Sequence, residues 1–539
     1  MLKARAQVTK TGSKPTSDDT KTKKPVKLPD TKITRFGYII RKDAYHEDEL
    51  EKIRADLIVK PQVMKSYAKF ARNNGWGLQV ENGKLMAVPR YYGISKLGQP
   101  ELNLLDTQTY PEFDMQYLGL LRPAQQVIVD KVVRGFEEHR GGVLIAGCGS
   151  GKTNMAIYIA CKYKLKTLFI VHQGFLKNQV VERIRSTTNI QDVGIIQSSK
   201  VKVNSPFVVG MVQSLAIRDY DDSIFKDFGL VIVDEVHHMG ARNFSKVFQK
   251  ISARYMLGIS AERQRADGLY KIINWYMGPF LHMEEQKPND MVVVKQFYYR
   301  TSNEERSKVI YNRYTKEPDR STMITNLVHI RRRNRFLYHT ILELFDQGKN
   351  ILVLCGRIKQ VNLFAKLLSE NEYTKNCYGL YLGGMTEAEL AKSATKQIII
   401  GTYHMAQEGL DIDGLNVVVL ATPKSAIKQS IGRILRKEVY EEHPIVIDVI
   451  DQDNPIFSNQ SNTRATYYAQ QKYNIQKFKV ADYPKDDHIQ WDDSKAIRAA
   501  LEQPVIHKAG SKTKAAGRGR MFTAFKPLDL NEIECLDDE

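Results

Sequence analysis

An apolar run, Val143-Leu-Ile-Ala146, passes directly into Gly147-Cys-Gly-Ser-Gly-Lys-Thr153 and on into the helix-compatible stretch Asn154-Met-Ala-Ile-Tyr-Ile-Ala-Cys161. A buried strand, a glycine turn and a helix in immediate succession restrict the chain to an α/β layer architecture. The glycines let the backbone turn tightly enough for its N–H groups to converge on phosphate oxygens, and the following helix adds its positive end. Gly147, Gly149, Ser150 and Gly151 form the expected cradle. Lys152 is placed to reach the β/γ-phosphates, and Thr153 to offer its hydroxyl to Mg²⁺. Ala146 stands where the pattern usually begins with glycine. An ordinary glycine-rich turn is the competing reading, and the strand before it and helix after it weigh against that.

The other half of such a site is expected at the end of a neighbouring strand. Leu230-Val-Ile-Val233 is continuously apolar, as in a strand buried on both faces of a parallel sheet, and it runs into Asp234-Glu235-Val236-His237. Asp234 is a candidate for the Mg²⁺ shell. Glu235 is the candidate base for the attacking water, because in-line attack needs one beside the metal. Alone, an Asp-Glu pair closing a strand is commonplace. About 80 residues beyond a phosphate loop, with apolar strands between, it is specific.

From Leu121 the pattern repeats. Apolar strands are predicted at Val143–Ala146, Thr167–Val171, Phe207–Val212, Leu230–Val233 and Tyr255–Ser260. A polar connection near Glu284–Asp290 leads to a second set at Asn350–Cys355, Gly379–Leu382, Gln397–Thr402, Asn416–Ala421 and Pro444–Val449. Alternating strands and helices imply parallel sheets with right-handed crossovers. The expected fold is therefore α/β, two tandem parallel-sheet domains at 116–285 and 286–480. A small α+β accessory domain at 36–115 precedes them. It has a helix near Glu47–Leu57, strands around Leu78–Val80 and Lys84–Val88, and Pro89-Arg-Tyr-Tyr-Gly93, which either binds phosphate or simply packs. Residues 1–35 and 481–539 are read as flexible basic extensions. Lys21-Thr-Lys-Lys-Pro-Val-Lys27 has nuclear-import character as well as that of a solvated tail.

Only the first α/β domain has a phosphate loop, so its nucleotide can be completed from the second. Gln429-Ser-Ile-Gly-Arg-Ile-Leu-Arg436 is the candidate. Gln429, Arg433 and Arg436 are spaced to share one helical face. Guanidinium groups suit the charge that develops on a transferring γ-phosphoryl group.

Composition narrows the partners. Among 539 residues, 42% are apolar and 26% charged, as in a soluble globular protein. No stretch approaches the ~18 consecutive apolar residues of a membrane span. Five scattered cysteines without a C-x-x-C argue against a disulfide framework or zinc site and for a reducing compartment. Cys148, inside the loop, reads as a small filler. The net charge is +19. Residues 1–35 carry ten Lys/Arg against three Asp, and Lys508 to Arg520 adds five basic residues. A surplus remains for the folded body, which favours a polyanionic partner, nucleic acid, over a merely solvated surface.

The loop, Asp-Glu-Val-His and Gln-x-x-Gly-Arg-x-x-Arg in this order resemble the superfamily 2 helicases of the DEAD/DEAH-like group. Leu121-Arg-Pro-Ala-Gln125 resembles the motif whose glutamine, here Gln125, reads the adenine. Val171-His172 with Gln179, and Val212-Gln213-Ser214-Leu215, resemble strand-contacting motifs. Thr402 with Glu408-Gly409-Leu-Asp411 resembles a second-domain motif touching nucleotide and nucleic acid. Ser260-Ala261-Glu262-Arg263 lies where the family usually has Ser-Ala-Thr-Pro, the motif that with His237 couples hydrolysis to domain movement. Glu262 for threonine puts the efficiency of strand separation in question. Gly258-Ile-Ser-Ala261 followed by Arg265-Ala-Asp-Gly-Leu269, and Gly401-Thr-Tyr-His-Met-Ala with Glu-Gly-Leu-Asp-Ile412, are more similar to XPB and UvsW-type helicases. They are most similar to the transcript-release helicase of poxviruses and its relatives in large DNA viruses. Asp448-Val-Ile-Asp451, Phe457 and Tyr467-Tyr468 agree with that group. The resemblance covers roughly 116–475. It implies that the two tandem parallel-sheet domains are RecA-like, with ATP and Mg²⁺ as cofactors and 3′-to-5′ movement on nucleic acid. DNA is favoured, with RNA or a transcription complex also compatible, and RNA polymerase or other transcription factors as candidate partners. It implies an intracellular location off the membrane: host cytoplasm or virion if viral, the nucleus also being compatible. A non-catalytic nucleic-acid scaffold that keeps the fold is the alternative.

Overall fold

The computed structural model describes residues 30–60, 75–147, 149–238, 241–261, 270–284, 291–301, 304–408, 412, 414–432 and 442–480. Three principal sheets organise them. The first has five strands in the order Val80–Glu81, Leu85–Val88, Gly37–Arg41, Thr31–Thr34 and Leu102–Asn103. Its pairings are antiparallel except the last. Thr31–Thr34 lies inside the stretch read from sequence as a flexible tail. It pairs Thr31 with Ile40 and Ile33 with Tyr38, and Thr31 and Ile33 point into the core. A four-residue alternation bounded by Asp30 and Arg35 is too short to stand out from tail-like composition.

The accessory helix Glu47–Leu57 forms as its sequence suggests. Glu47, Asp48 and Glu49 sit in its first turn, where the macrodipole favours acids, and Glu49 accepts from the His46 N–H at 3.0 Å. Leu50, Ile53 and Leu57 make its buried face. That face belongs to a core shared with the next domain: Tyr38, Leu57 and Val88 cluster with Val143, Phe244 and Tyr276. The buried Arg90 donates to the Ala253 carbonyl at 2.9 Å, and the Trp76 indole donates to Ser245 Oγ at 3.4 Å. The accessory unit is packed onto its neighbour rather than tethered to it.

The second sheet has eight strands. Their order is Lys200–Lys202, Gly194–Gln197, Phe207–Met211, Thr167–Val171, Leu230–Val233, Tyr255–Ser260, Gly141–Ile145 and Phe280–Met283. All neighbours run parallel except the first pair. The third sheet has seven strands, all parallel: Tyr378–Tyr381, Ile398–Thr402, Ile351–Cys355, Val417–Leu420, Ile445–Asp451, Val293–Tyr299 and Asn474–Lys479. The continuous apolar runs are the sheet centres, buried on both faces. In sequence, the second sheet's last strand ends at Met283 and the third sheet's first begins at Val293. Among the described residues no helix is long and apolar enough to cross a membrane.

Candidate nucleotide and nucleic-acid site

Parallel sheets bind ligands beyond the carboxyl ends of their strands. In the second sheet Gly141–Ile145 and Leu230–Val233 are separated by one strand, Tyr255–Ser260, so the glycine loop, Ser260 and Asp234 emerge side by side. The loop needs its glycines. Gly149 and Gly151 have φ of +78° and +82°, and a Cβ on Gly151 would lie 2.2 Å from Gln125 Nε2.

Gln125 is at the third position of helix Pro123–His139, where Pro123 starts the helix with its φ already set. Its Oε1 accepts from the Arg122 N–H at 2.9 Å, and its Nε2 donates to the Ser150 carbonyl at 2.8 Å. Arg122 adds donations to the Gly149 and Ser150 carbonyls at 3.3 and 3.0 Å. Gln125 thus joins its helix to the phosphate loop, with a second N–H and a lone pair not used in these two bonds.

Lys152, 8% exposed, donates to the carbonyls of Ala146 and Gly147 at 3.1 and 3.0 Å. Ser150 Oγ and Asn154 Oδ1 are buried beside it without a hydrogen-bond partner among the described residues. Buried orphan atoms at a loop of inward N–H groups fit a bound phosphate chain. Thr153 follows Lys152 in the first turn of helix Lys152–Tyr163. Burial raises the Asp234 carboxyl above its ordinary range, and the neighbouring Glu235 raises it further, against the opposing pull of Lys152. A divalent cation would relieve that strain, and Asp234 with the Thr153 hydroxyl is the oxygen set it would take.

Glu235 adopts a φ of +44°. Its N–H donates to Asp234 Oδ1 at 2.9 Å, and its Oε2 accepts from the Ala261 N–H at 3.4 Å. The same oxygen lies 3.3 Å from His237 Nδ1, and that nitrogen lies 2.8 Å from Ser260 Oγ. His237 and Ser260 are both buried. The carboxylate expected to handle water is therefore wired to the strand end that leads to Glu262. Gln213 and Ser214 stand further along the same edge. Gln213 Nε2 donates to the His172 carbonyl at 2.6 Å, and Ser214 Oγ accepts from the Ser198 N–H at 2.9 Å. Thr402 ends a strand of the third sheet, and Gln429 lies in the short helix Lys428–Ile431. Glu262, Gly409, Asp411, Arg433, Arg436 and Cys148 lie outside the described residues.

Two residues escaped the sequence reading. Arg122 braces the loop, and its position just before Pro123 was the available signal. Glu284 follows the edge strand Phe280–Met283, and its carboxylate accepts from the Gly147 N–H at 2.7 Å. Only the strand order puts Glu284 beside the loop, so no local pattern could reveal it.

Over residues 119–265 the chain matches the family described as Type III restriction enzyme, res subunit. It is 56% identical over 513 residues to a protein of Acanthamoeba polyphaga mimivirus named ATP-dependent RNA helicase L396, covering 94% of this chain and 99% of that one. The chain is a superfamily 2 helicase of the large-DNA-virus group. The helicase is also 26% identical over 426 residues to helicase 161L of Invertebrate iridescent virus 6, with 73% and 91% of the two chains covered. Among solved structures, T4 UvsW is similar over 84% of this chain and 99% of that one, at 17% identity and a TM-score of 0.35. The helicase is an enzyme by its family, and its two largest sheets are the mainly parallel pair expected from the sequence. The scaffold alternative gives way to that.

Proposed function

We propose that the helicase couples ATP turnover to stepping along a DNA backbone, in transcript release or in DNA remodelling and recombination. The observation that carries the coupling is the Glu235–His237–Ser260 connection, which links the carboxylate beside the phosphate loop to the strand end at Ser260. Lys152 neutralises the β/γ-phosphates, Asp234 and Thr153 hold Mg²⁺, and Glu235 orients and deprotonates water. Gln429, Arg433 and Arg436 complete the site from the second domain, so that binding closes the domains and release reopens them. Bound Mg²⁺ supplies charge neutralisation at the phosphates. Thr402, Gly409 and Asp411 communicate with both nucleotide and strand, while Gln213 and Ser214 track the backbone.

DNA is favoured by the restriction-enzyme family match and by the XPB/UvsW-like motifs. A second reading, RNA as the track, is favoured by the name of the mimivirus relative. ATP turnover measured with single-stranded DNA, duplex DNA, RNA and a stalled transcription complex separates them. Stimulation by RNA alone overturns the DNA reading. Stimulation by the transcription complex beyond its separate nucleic acids supports transcript release and RNA polymerase as a partner.

A further inference from the structure

The accessory sheet and the first RecA-like domain do not meet flush. Between them lies a cleft of about 540 Å³, walled by Phe36, Ile39, Leu85, Leu104, Phe225 and Phe228. None of the nucleotide-site residues lines it. Phe36, Val80 and Leu104 stay 40%, 50% and 40% exposed along it, a concentration of large apolar groups that marks a binding surface rather than scattered exposure.

Its polar features are equally specific. Ser252 lines the cleft while 8% exposed, and its hydroxyl has no partner among the described residues. Lys32 and Lys226 also line it without an ion pair among the described residues, Asp221 lying within electrostatic range of Lys226. The one acid in the wall, Glu81, is already engaged by Arg54 at 2.9 Å and Lys42 at 3.4 Å. Arg35 is paired with Asp222. The cleft therefore suits apolar side chains carried on an anionic segment.

This chain contains such a segment. Residues 528–539 interleave Leu528, Leu530, Ile533 and Leu536 with Asp529, Glu532, Glu534, Asp537, Asp538 and Glu539, without a single Lys or Arg. In a chain of net charge +19 this is a local reversal of sign, and it matches the rim. Roughly fifty residues separate Val480 from Leu528. Extended, that length spans up to ~160 Å, so reach does not limit docking. We propose that residues 528–539 dock in this cleft, apolar side chains against Phe36 and Leu104, carboxylates toward Lys32 and Lys226. Docking would also bring the basic run from Lys508 to Arg520 alongside the accessory face.

The native Cys535 lies within the segment and serves as a reporter. In the full chain, Leu104→Cys places a thiol on the cleft wall, and Val80→Cys is a second version should the first perturb folding. Mild oxidation at low protein concentration, followed by peptide mapping, should yield an intrachain disulfide from the introduced thiol to Cys535. Basal ATP turnover of both variants should stay unchanged, which checks folding. Yield should fall at least about five-fold when Lys32→Glu and Lys226→Glu are added, and should also fall when a synthetic peptide of residues 528–539 is present. Tyr314→Cys, at a site 86% exposed in the second domain, sets the background for random encounter. Yields no higher than that background overturn the proposal. Cross-links between molecules that grow with concentration also overturn it, by assigning the cleft to a second copy.

Discussion

Glu235 holds a backbone conformation, φ +44°, that costs a non-glycine residue on the order of 1–2 kcal/mol. The Ala261 N–H and His237 fix its carboxylate in return. Glu235→Gln is therefore expected to leave ATP affinity within a small factor while turnover falls at least ~10²-fold, since only the proton-accepting role is lost. Lys152→Ala should weaken affinity and turnover together. Equilibrium binding of a fluorescent ATP analogue, paired with phosphate release, distinguishes the two, and normal turnover by the glutamine variant would remove Glu235 from its role. Glu284 gives a prediction of opposite sign. Glutamine there keeps an acceptor for the Gly147 N–H but removes a negative charge beside the phosphate site. At an effective dielectric near 20, two charges ~5 Å apart repel by a few kcal/mol before screening. Glu284→Gln should thus bind ATP more tightly, by several-fold, and ADP less markedly so. Unchanged or weaker ATP binding would show that the carboxylate serves the loop's geometry alone.

Strands buried on both faces are the elements most legible in the sequence, because burial demands uninterrupted apolar residues: Leu230–Val233 and Ile351–Cys355 read directly. Val293–Tyr299 is also flanked by strands on both sides, one in from the edge, yet Lys295 and Gln296 interrupt its run. Both are 2% exposed, and Gln296 Nε2 donates to Asp448 Oδ2 at 3.3 Å across the sheet. A buried polar residue satisfied by a distant strand has no local signature. The same holds for the phosphate site, whose loop and carboxylates were legible while Glu284 was not. Asp448 illustrates the energetics. Its carboxylate accepts from Arg464 Nε at 3.0 Å and from the Tyr468 hydroxyl at 3.1 Å, and Arg464 Nη2 lies 2.8 Å from it. Removing one partner leaves an uncompensated buried charge, so Arg464→Ala or Asp448→Ala should each destabilise the second domain by about 3–5 kcal/mol. Urea unfolding of both single variants and the double variant tests this. Additive losses would show that the pair is not coupled. A third element, the short helix Lys428–Ile431, is followed in sequence by the proposed trans-acting arginines, Arg433 and Arg436. Arg433→Ala or Arg436→Ala should lower turnover by about 10³-fold or more with little change in ATP affinity. Unimpaired hydrolysis in both would take the second domain out of the chemistry.

At the scale of the molecule, charge has to be assigned to body or extension before it can be related to binding. The ordered accessory sheet starts at Thr31, so a clean removal of the basic extension ends at residue 29 rather than 35. Residues 1–29 carry eight Lys/Arg and two Asp. If the helicase grips nucleic acid chiefly through phosphates, log affinity should fall linearly with log salt and vary little with base sequence. On duplex DNA each released contact contributes a slope of about −0.9. Deleting residues 1–29 should flatten that slope by the number of contacts the extension makes, up to about eight, while ATP turnover without nucleic acid stays unchanged, because none of the loop residues is touched. The measurement is fluorescence anisotropy on oligonucleotides of several sequences between 50 and 300 mM salt. A slope that the deletion leaves intact would place the binding charge on the folded body, at the strand ends near His172 and Thr402. An affinity insensitive to salt but selective for sequence would require base-edge contacts instead, and the backbone-tracking mechanism would fall with it.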